Sequence, residues 1–585
     1  MKKKLDAFLL FLAKIRADEQ TALIILSLAI GMLAGVANIV FRTSMEFVRA
    51  TLFVGGSKLL HINEGGAYRA LLPLIPMAGA LLLIPFSLLF PGEVNGYGFS
   101  KFIETVNIRG GIIKVRNIFL KIIGPALTIG SGGSAGVEGP IAIIGGTIGS
   151  GVGQAFRLSG NRMKLLIAAG SAGAIAATFN APIAGIMFAM EVVLLGNYEL
   201  SSFAAIVISS GIATFVSRGY YGANPAFTVP QYDLVSAAEI PLYLLLGLII
   251  GIIAIVYIRV FHQVKDEFAS IKMPFQAKPV LGALIVGSIG IFFPHVMGNG
   301  YEYIEEALSG QIIFPVIALL IFLKIIATSV TLGSGGAGGV FAPALFIGAV
   351  TGGSFGSIVH KFFPAVTAYP GAYATVGIGA FLAAATHAPL TGIFLLFEMT
   401  GNYKIIIPLL FASVVGTIVA KRLCHDSIDT VELTQKGIAL HLGMERSVMD
   451  KIKVKDIMRQ EFIQVKWNTI LKEVITIMVE NKRFYVPVTD DNGNMLGIVS
   501  IQDIRHVLFE EKVKEKVTVD QIITEQVITL FPDDDLNTAM RKFSLKDIDE
   551  LPVVDTKEPR RVLAMLGRGD VISAYNREVL REKVQ

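Results

Sequence analysis

GSGGSAGVEGP, at Gly130–Pro140, and GSGGAGGVFAP, at Gly333–Pro343, align without a gap and agree at seven of eleven positions. A second pair follows each of them: NAPIAGIMFAME at Asn180–Glu191 and HAPLTGIFLLFE at His387–Glu398. The offsets are 203 and 207 residues, and a GNY triplet recurs at Gly196 and Gly401. The chain is therefore two similar halves in tandem. In both motifs apolar sequence is cut by glycine and ends in proline, the signature of a helix that stops and restarts.

The composition around the motifs places them in a membrane. Of 585 residues 53% are hydrophobic and 17% charged, and mean hydropathy is +0.64. Stretches free of Asp, Glu, Lys and Arg at Gln20–Phe41, Ala70–Gly92, Leu165–Met190 and Ile240–Ile258 are long enough to span a bilayer, which takes ~20 residues. Ile325–His360 and Phe362–Phe397 run to 36 residues each, so each must hold more than one segment. Irregular backbone at membrane depth survives only where protein buries it or where it lines a polar path. Repeated halves with broken helices are the pattern of inverted-repeat transport proteins. The charge is uneven: 48 of the 97 Asp, Glu, Lys and Arg fall in the last 141 residues. A membrane part followed by a soluble C-terminal part results, and a wholly soluble enzyme is excluded.

The start, MKKKLDAFLLFLAKIRADEQ, lacks a small-residue cleavage site, and Lys14 and Arg16 break its apolar run. Residues 1–19 read as a cytoplasmic amphipathic helix rather than a signal peptide. Lys2–Lys4 at one end and Lys421–Arg422 at the other predict two cytoplasmic termini and an even number of crossings of a plasma (inner) membrane. A net charge of +5 points to no nucleic-acid partner, and the single cysteine, Cys424, excludes a disulfide framework and a cysteine metal cluster.

Neither motif contains Lys, Arg or His. Each ends at a presumptive helix N-terminus, where backbone N–H groups and the dipole favour an anion. Partial charges suit an ion that must also leave, since a full cationic charge in low dielectric holds it too tightly. The one formal charge is Glu138. A carboxylate aimed at an anion site is itself an anion mimic: it occupies the site when ionised and vacates it when protonated or displaced.

These residues are similar to the CLC family of chloride channels and proton/chloride transporters. The segment around Glu138 resembles that family's GREGP motif, Gly338–Pro343 (GGVFAP) its second motif, and GYGFS at Gly96–Ser100 its GSGIP. The resemblance covers residues 20–435 and implies a homodimer with an anion pathway in each subunit. It makes Glu138 the external gating glutamate and places anion contacts at Gly96, Tyr97, Gly98, Val137, Gly139, Gly339, Val340, Phe341 and Asp429. Four positions depart from the pattern. Tyr97 stands at the central serine. Asp429, in SIDTVEL, stands at the inner tyrosine and either faces the path or points to the cytoplasm. Val137 replaces the motif arginine. Val192 follows Glu191 where the family's exchangers carry a proton-transferring glutamate.

Residues 454–513 and 514–576 read as two α/β units, joined to the membrane domain by a linker at 436–453 and followed by a tail at 577–585. They resemble a tandem pair of CBS domains, which often bind adenine nucleotides. Ser500 and Asp503 match the ribose-contacting Ser-x-x-Asp; 67 residues on, Asp570 is kept while Gly567 replaces the hydroxyl. Trp467, the single tryptophan, reads as core packing.

The predicted fold is an all-α polytopic membrane domain of CLC-type inverted repeats plus a cytoplasmic α/β CBS pair. The expected function is transport of chloride or a similar small anion, channel-like or weakly proton-coupled, with obligatory proton/chloride antiport as the alternative. A CBS-bearing divalent-cation transporter is a further alternative, but it requires facing intramembrane carboxylates, and the motifs offer one acid. No cofactor beyond an adenine nucleotide is expected, and no enzymatic activity.

Overall fold

The computed structural model describes residues 19–584 except 159, 197–199, 224–228, 231, 233, 310–315, 437–448, 450–451, 460, 482, 506–513 and 545–547. The N-terminal segment 1–18, most of the linker and Asn197–Tyr198 of the first GNY lie outside the described residues. The chain divides into two compact units, residues 1–437 and 438–585.

The first unit is helical, and its principal helices come as one set repeated. The first half runs α1 (Glu19–Val48), α2 (Leu74–Leu89), α3 (Phe99–Asn107), α4 (Asn117–Gly130), α5 (Glu138–Ala155), α6 (Asn161–Phe179), α7 (Pro182–Phe188) and α8 (Leu200–Tyr221). The second runs α9 (Ile240–Ser270), α10 (Lys278–Phe292), α11 (Tyr301–Leu308), α12 (Val316–Gly333), α13 (Phe341–Phe362), α14 (Pro370–Thr386), α15 (Pro389–Thr400) and α16 (Ile406–Leu423), with a short α17 (Val431–Gln435) after it. Among the described residues, seven helical stretches are long and apolar enough to cross a membrane. Met32, Leu33, Val36 and Val40 of α1, like Leu245, Leu248, Ile252 and Val256 of α9, are exposed apolar faces of the kind hydrocarbon covers.

The uncharged run Leu165–Met190 is not one span, although its length predicted one. It breaks at Asn180, whose φ of 59° is left-handed, and restarts at Pro182. Phe362–Phe397 breaks in the same way at His387 (φ 57°) and restarts at Pro389. A proline at the first helical position lacks the N–H that would otherwise be orphaned there. Buried glycines then let neighbouring helices within each half pack tightly: a Cβ on Gly145 of α5 would collide with the Gly170 carbonyl of α6, and one on Gly348 of α13 with that of Gly377 of α14.

The two halves cap each other. Glu191 accepts from Leu390 N (3.1 Å), Thr391 N (2.7 Å) and Thr391 Oγ1 (2.8 Å) at the start of α15. Its repeat mate Glu398 accepts from Ile183 N (2.9 Å) and Ala184 N (2.8 Å) at the start of α7. Each carboxylate meets the N–H groups and positive dipole end that the helix leaves unsatisfied. Replacing Glu191 by Ala strands three donors, and one such loss costs about 1–3 kcal/mol. We expect Glu191→Ala to lower the apparent unfolding temperature of the detergent-purified protein and Glu191→Gln to recover part of the loss. Unaltered melting in the alanine variant would contradict the capping role.

The second unit carries two small sheets. In one, β1 (Val465–Lys466) pairs parallel with β2 (Tyr485–Thr489), which pairs antiparallel with β3 (Met495–Ser500); in the other, β4 (Glu550–Val554) and β5 (Val562–Gly567) are antiparallel. Helices α18 (Leu471–Glu480) and α19 (Leu536–Ser544) lay apolar stripes on two separate cores, one around Leu471, Val474, Val486 and Val499, the other around Leu536, Phe543, Leu551 and Leu566. Val454, where the first α/β unit was expected to begin, packs in the second core. Trp467 corrects its reading as core: it is 38% exposed, in the turn that follows the two-residue edge strand β1.

Candidate functional site

The two Gly-rich motifs bind each other. Gly136 N donates to Gly339 O (2.7 Å) and Gly339 N to Gly136 O (2.8 Å), a two-residue antiparallel bridge at the start of α5 and α13. The arrangement behind it is reciprocal too. Ser134 N donates to Thr331 Oγ1 (3.1 Å) and Ala337 N to Thr128 Oγ1 (3.0 Å). With no side chain on either glycine the backbones close in, and a Cβ on Gly139 would stand 3.3 Å from Gly339 Cα. Two helix N-termini are thereby brought together inside the unit.

Glu138, the first residue of α5, is completely buried. Its Oε2 accepts from Ala342 N (3.1 Å) in the first turn of α13, and its Oε1 accepts from the Tyr301 hydroxyl at the start of α11. The acid from one half thus sits on the helix N-terminus of the other. Burial of an ion costs several kcal/mol. Two hydrogen bonds to a charged group return about 1.5–3 kcal/mol each, and the helix end up to ~2 kcal/mol. These contacts offset the cost of burying the carboxylate.

Tyr97 is 7% exposed. Its ring crosses Phe261 edge-on at 5.7 Å, and a Cβ on Gly139 would stand 3.7 Å from it. Its hydroxyl donates to Asp429 Oδ1. Asp429 is 3% exposed, so of its two expected orientations the inward one is observed. Gly96, at φ 72°, ties this loop down by donating to Gly335 O (3.2 Å). At Gly98 the Lys121 Nζ would be 2.9 Å from an added Cβ, which leaves a buried cation beside the loop. Val340 O accepts from Tyr257 (3.1 Å), and the Phe341 ring packs on Phe179 and Phe188. Val137 caps α5 and lines a cavity of about 350 Å³ with Tyr301, Asn38, Arg42, Arg49 and Glu302. Arg49 and Glu302 are paired across it at 2.6 Å.

Sequence reasoning missed Tyr301, though a signal for it exists. GNGYE at 298–302 matches GYGFS at 96–100, and Gly298 (φ 61°) donates to Gly132 O (3.2 Å) just as Gly96 donates to Gly335 O. Lys324 was missed as well, although it lies 203 residues after Lys121; it is fully buried and donates to Val296 O (3.0 Å) and Gly298 O (3.2 Å), beneath the Tyr301 loop. Val192 is buried and cannot titrate, and Glu191 is spent on its cap.

In the second unit Ser500 and Asp503 form a capping box: Asp503 Oδ2 accepts from Ser500 N (2.8 Å) and Oγ (2.7 Å). Asp570 instead pairs with Arg459 (2.5 Å) and accepts from Gly567 N (3.2 Å). Asp503 is engaged through Oδ2 within its own capping box, whereas Asp570 is held by a cation. We expect calorimetry on the purified full chain to show weak heat with ATP, ADP or AMP that Asp503→Asn removes and Asp570→Asn changes little. No heat at saturating nucleotide leaves the pair as a dimerisation module.

A family model described as voltage gated chloride channel matches residues 78–421, and one for the CBS domain matches 454–510 and 519–577. Chloride channel protein CLC-f of Arabidopsis thaliana is 30% identical over 653 residues, covering 97% of this chain and 82% of the relative. The H(+)/Cl(−) exchange transporter ClcA of Vibrio campbellii is 31% identical over 426 residues, covering 72% of this chain and 90% of the relative. Among solved structures, that of a slow cyanobacterial Cl−/H+ antiporter superposes with a TM-score of 0.65 at 25% identity, over 72% of this chain and 98% of that one.

Proposed function

This chain belongs to the voltage-gated chloride channel family of anion-transporting membrane proteins, carries two CBS domains, and on that premise we propose that it moves chloride or a similar small inorganic anion past a gate formed by Glu138. One observation carries the reading: the Glu138 carboxylate lies on Ala342 N at the start of α13, where an anion would be bound. When Glu138 is protonated or displaced, the N–H groups it covers become available, and the path opens beside Tyr97. Gly96, Gly98, Gly139, Gly339, Val340 and Phe341 contribute close backbone rather than charge, which keeps binding weak enough for release. The protein acts as a homodimer in the plasma (inner) membrane with both termini cytoplasmic and performs no enzymatic chemistry. The CBS pair takes an adenine nucleotide.

Conduction with little proton coupling follows from Val192 and from the use of Glu191 as a cap. Proton/anion exchange is the second reading, favoured by the names of relatives such as ClcA and by the burial of Asp429 at Tyr97. The experiment is to impose a chloride gradient on sealed proteoliposomes and follow proton movement. Anion flux with no uphill proton movement supports conduction; stoichiometric proton pumping that stops in Glu138→Gln supports exchange.

A further inference from the structure

The unit holds two buried carboxylates built alike. Glu138 takes the Tyr301 hydroxyl and Asp429 takes the Tyr97 hydroxyl. Neither makes an ion pair among the described residues. Tyr97 is bonded to Asp429 and its ring flanks Gly139, the residue after Glu138, where an added Cβ would stand 3.7 Å from it. Asp429 lies in the loop between α16 and α17, directly before the chain continues to the C-terminal unit, whereas Glu138 lies behind Tyr301 and the cavity it lines.

The titratable groups around Asp429 come from three elements. Tyr97 faces it from the loop before α3. Tyr257 of α9 donates its hydroxyl to Val340 O at 3.1 Å. His262, one turn further along α9, bonds Ile428 O at 3.2 Å, and Glu432 of α17 is already paired with Lys265 at 2.8 Å. Among the described residues, the one polar contact of the Asp429 side chain is the neutral Tyr97 phenol.

That contact blocks the path in two ways. A phenol has a single proton, and Tyr97 gives it to Asp429, so it has none for an anion. An ionised Asp429 beside it also repels an anion directly. One proton from the adjoining solution, forming an O–H bond on Asp429 and breaking no other bond in the protein, removes the charge. It also turns a strong acceptor into a weak one and frees the Tyr97 hydroxyl. A tyrosine at 429, as in the family this chain resembles, does not titrate near neutral pH.

We propose that Asp429 and Tyr97 form a second, proton-operated gate, on the side from which the chain leads to the C-terminal unit. The proposal rests on the reading of Glu138 as the gate of an anion path. It assigns Asp429 to proton binding rather than to contact with the anion.

The test is chloride efflux from proteoliposomes with equal pH on both faces, so that orientation does not matter. In Glu138→Gln the flux should keep a several-fold rise between neutral and mildly acidic pH. In Glu138→Gln/Asp429→Asn it should become flat. In Glu138→Gln/Tyr97→Phe the rise should persist with its midpoint moved up by roughly 0.5–1 pH unit, because the ionised carboxylate has lost its donor. A flat Glu138→Gln profile, an unchanged rise in the Asp429→Asn double variant, or an unmoved midpoint in the Tyr97→Phe double variant would each overturn the second gate. Should the asparagine variant fail to fold, the phenylalanine variant still decides. Wild-type flux equal to that of protein-free vesicles would instead remove the anion-transport reading on which the proposal stands.

Discussion

Glu138→Gln should transport chloride at neutral pH faster than the wild type does at the same pH, and should retain on acidification only the several-fold rise that Asp429 contributes. The glutamine keeps the length and shape of the side chain but carries no charge. It therefore cannot compete as an anion for Ala342 N and the N-terminus of α13. On the proposed reading one proton opens this gate in the wild type, so the flux lost to ionisation should change by at most about tenfold per pH unit. The variant should lose the larger part of that response, leaving only what Asp429 contributes. The Tyr301 hydroxyl, which now holds the carboxylate, then has only a neutral amide to bond, so the closed position is weakened from both oxygens. The measurement is efflux against pH for both proteins. A variant that kept the full wild-type pH dependence would show that Glu138 is not the gate, whatever its burial.

The second large effect is expected at Tyr97. Its ring fills the space beside Gly139, and its hydroxyl is the polar side-chain group that an anion meets once Asp429 releases it. Tyr97→Ser shortens that donor and opens room next to Phe261. A hydrogen bond to a charged group contributes about 1.5–3 kcal/mol, and its loss or rearrangement discriminates among chloride, nitrate and fluoride by size and basicity. The ratio of their fluxes should shift by about tenfold or more, since 1.36 kcal/mol corresponds to a factor of ten. Ratios unchanged across the three anions would place Tyr97 off the path.

How much of this was legible depended on the repeat. GSGGSAGVEGP and GSGGAGGVFAP identified the broken helices and singled out Glu138, and the structure brings these motifs together through Gly136 and Gly339. What sequence alone could not supply is contact between segments distant in the chain. Tyr301 reaches Glu138 across 163 positions and Asp429 reaches Tyr97 across 332. The pairing of neither is marked by local pattern, and SIDTVEL reads equally well as a loop facing solvent. Leu165–Met190 misled by length because a left-handed Asn180 interrupts a run that hydropathy treats as continuous. Trp467 misled by type, since it sits in the turn just after the two-residue edge strand, where its ring stays 38% exposed. Lys324 and Tyr301 were readable in principle: each recurs at nearly the motif's own offset from Lys121 and Phe99, and a search for the repeat outside the glycine motifs would have found them.

The most direct test of anion transport past Glu138 is chloride efflux from sealed liposomes containing the purified full chain, recorded from neutral to mildly acidic pH against protein-free vesicles. Efflux above the protein-free rate that grows on acidification, and that Glu138→Gln makes high at neutral pH, is the predicted result. Efflux indistinguishable from that of protein-free vesicles at every pH would contradict it.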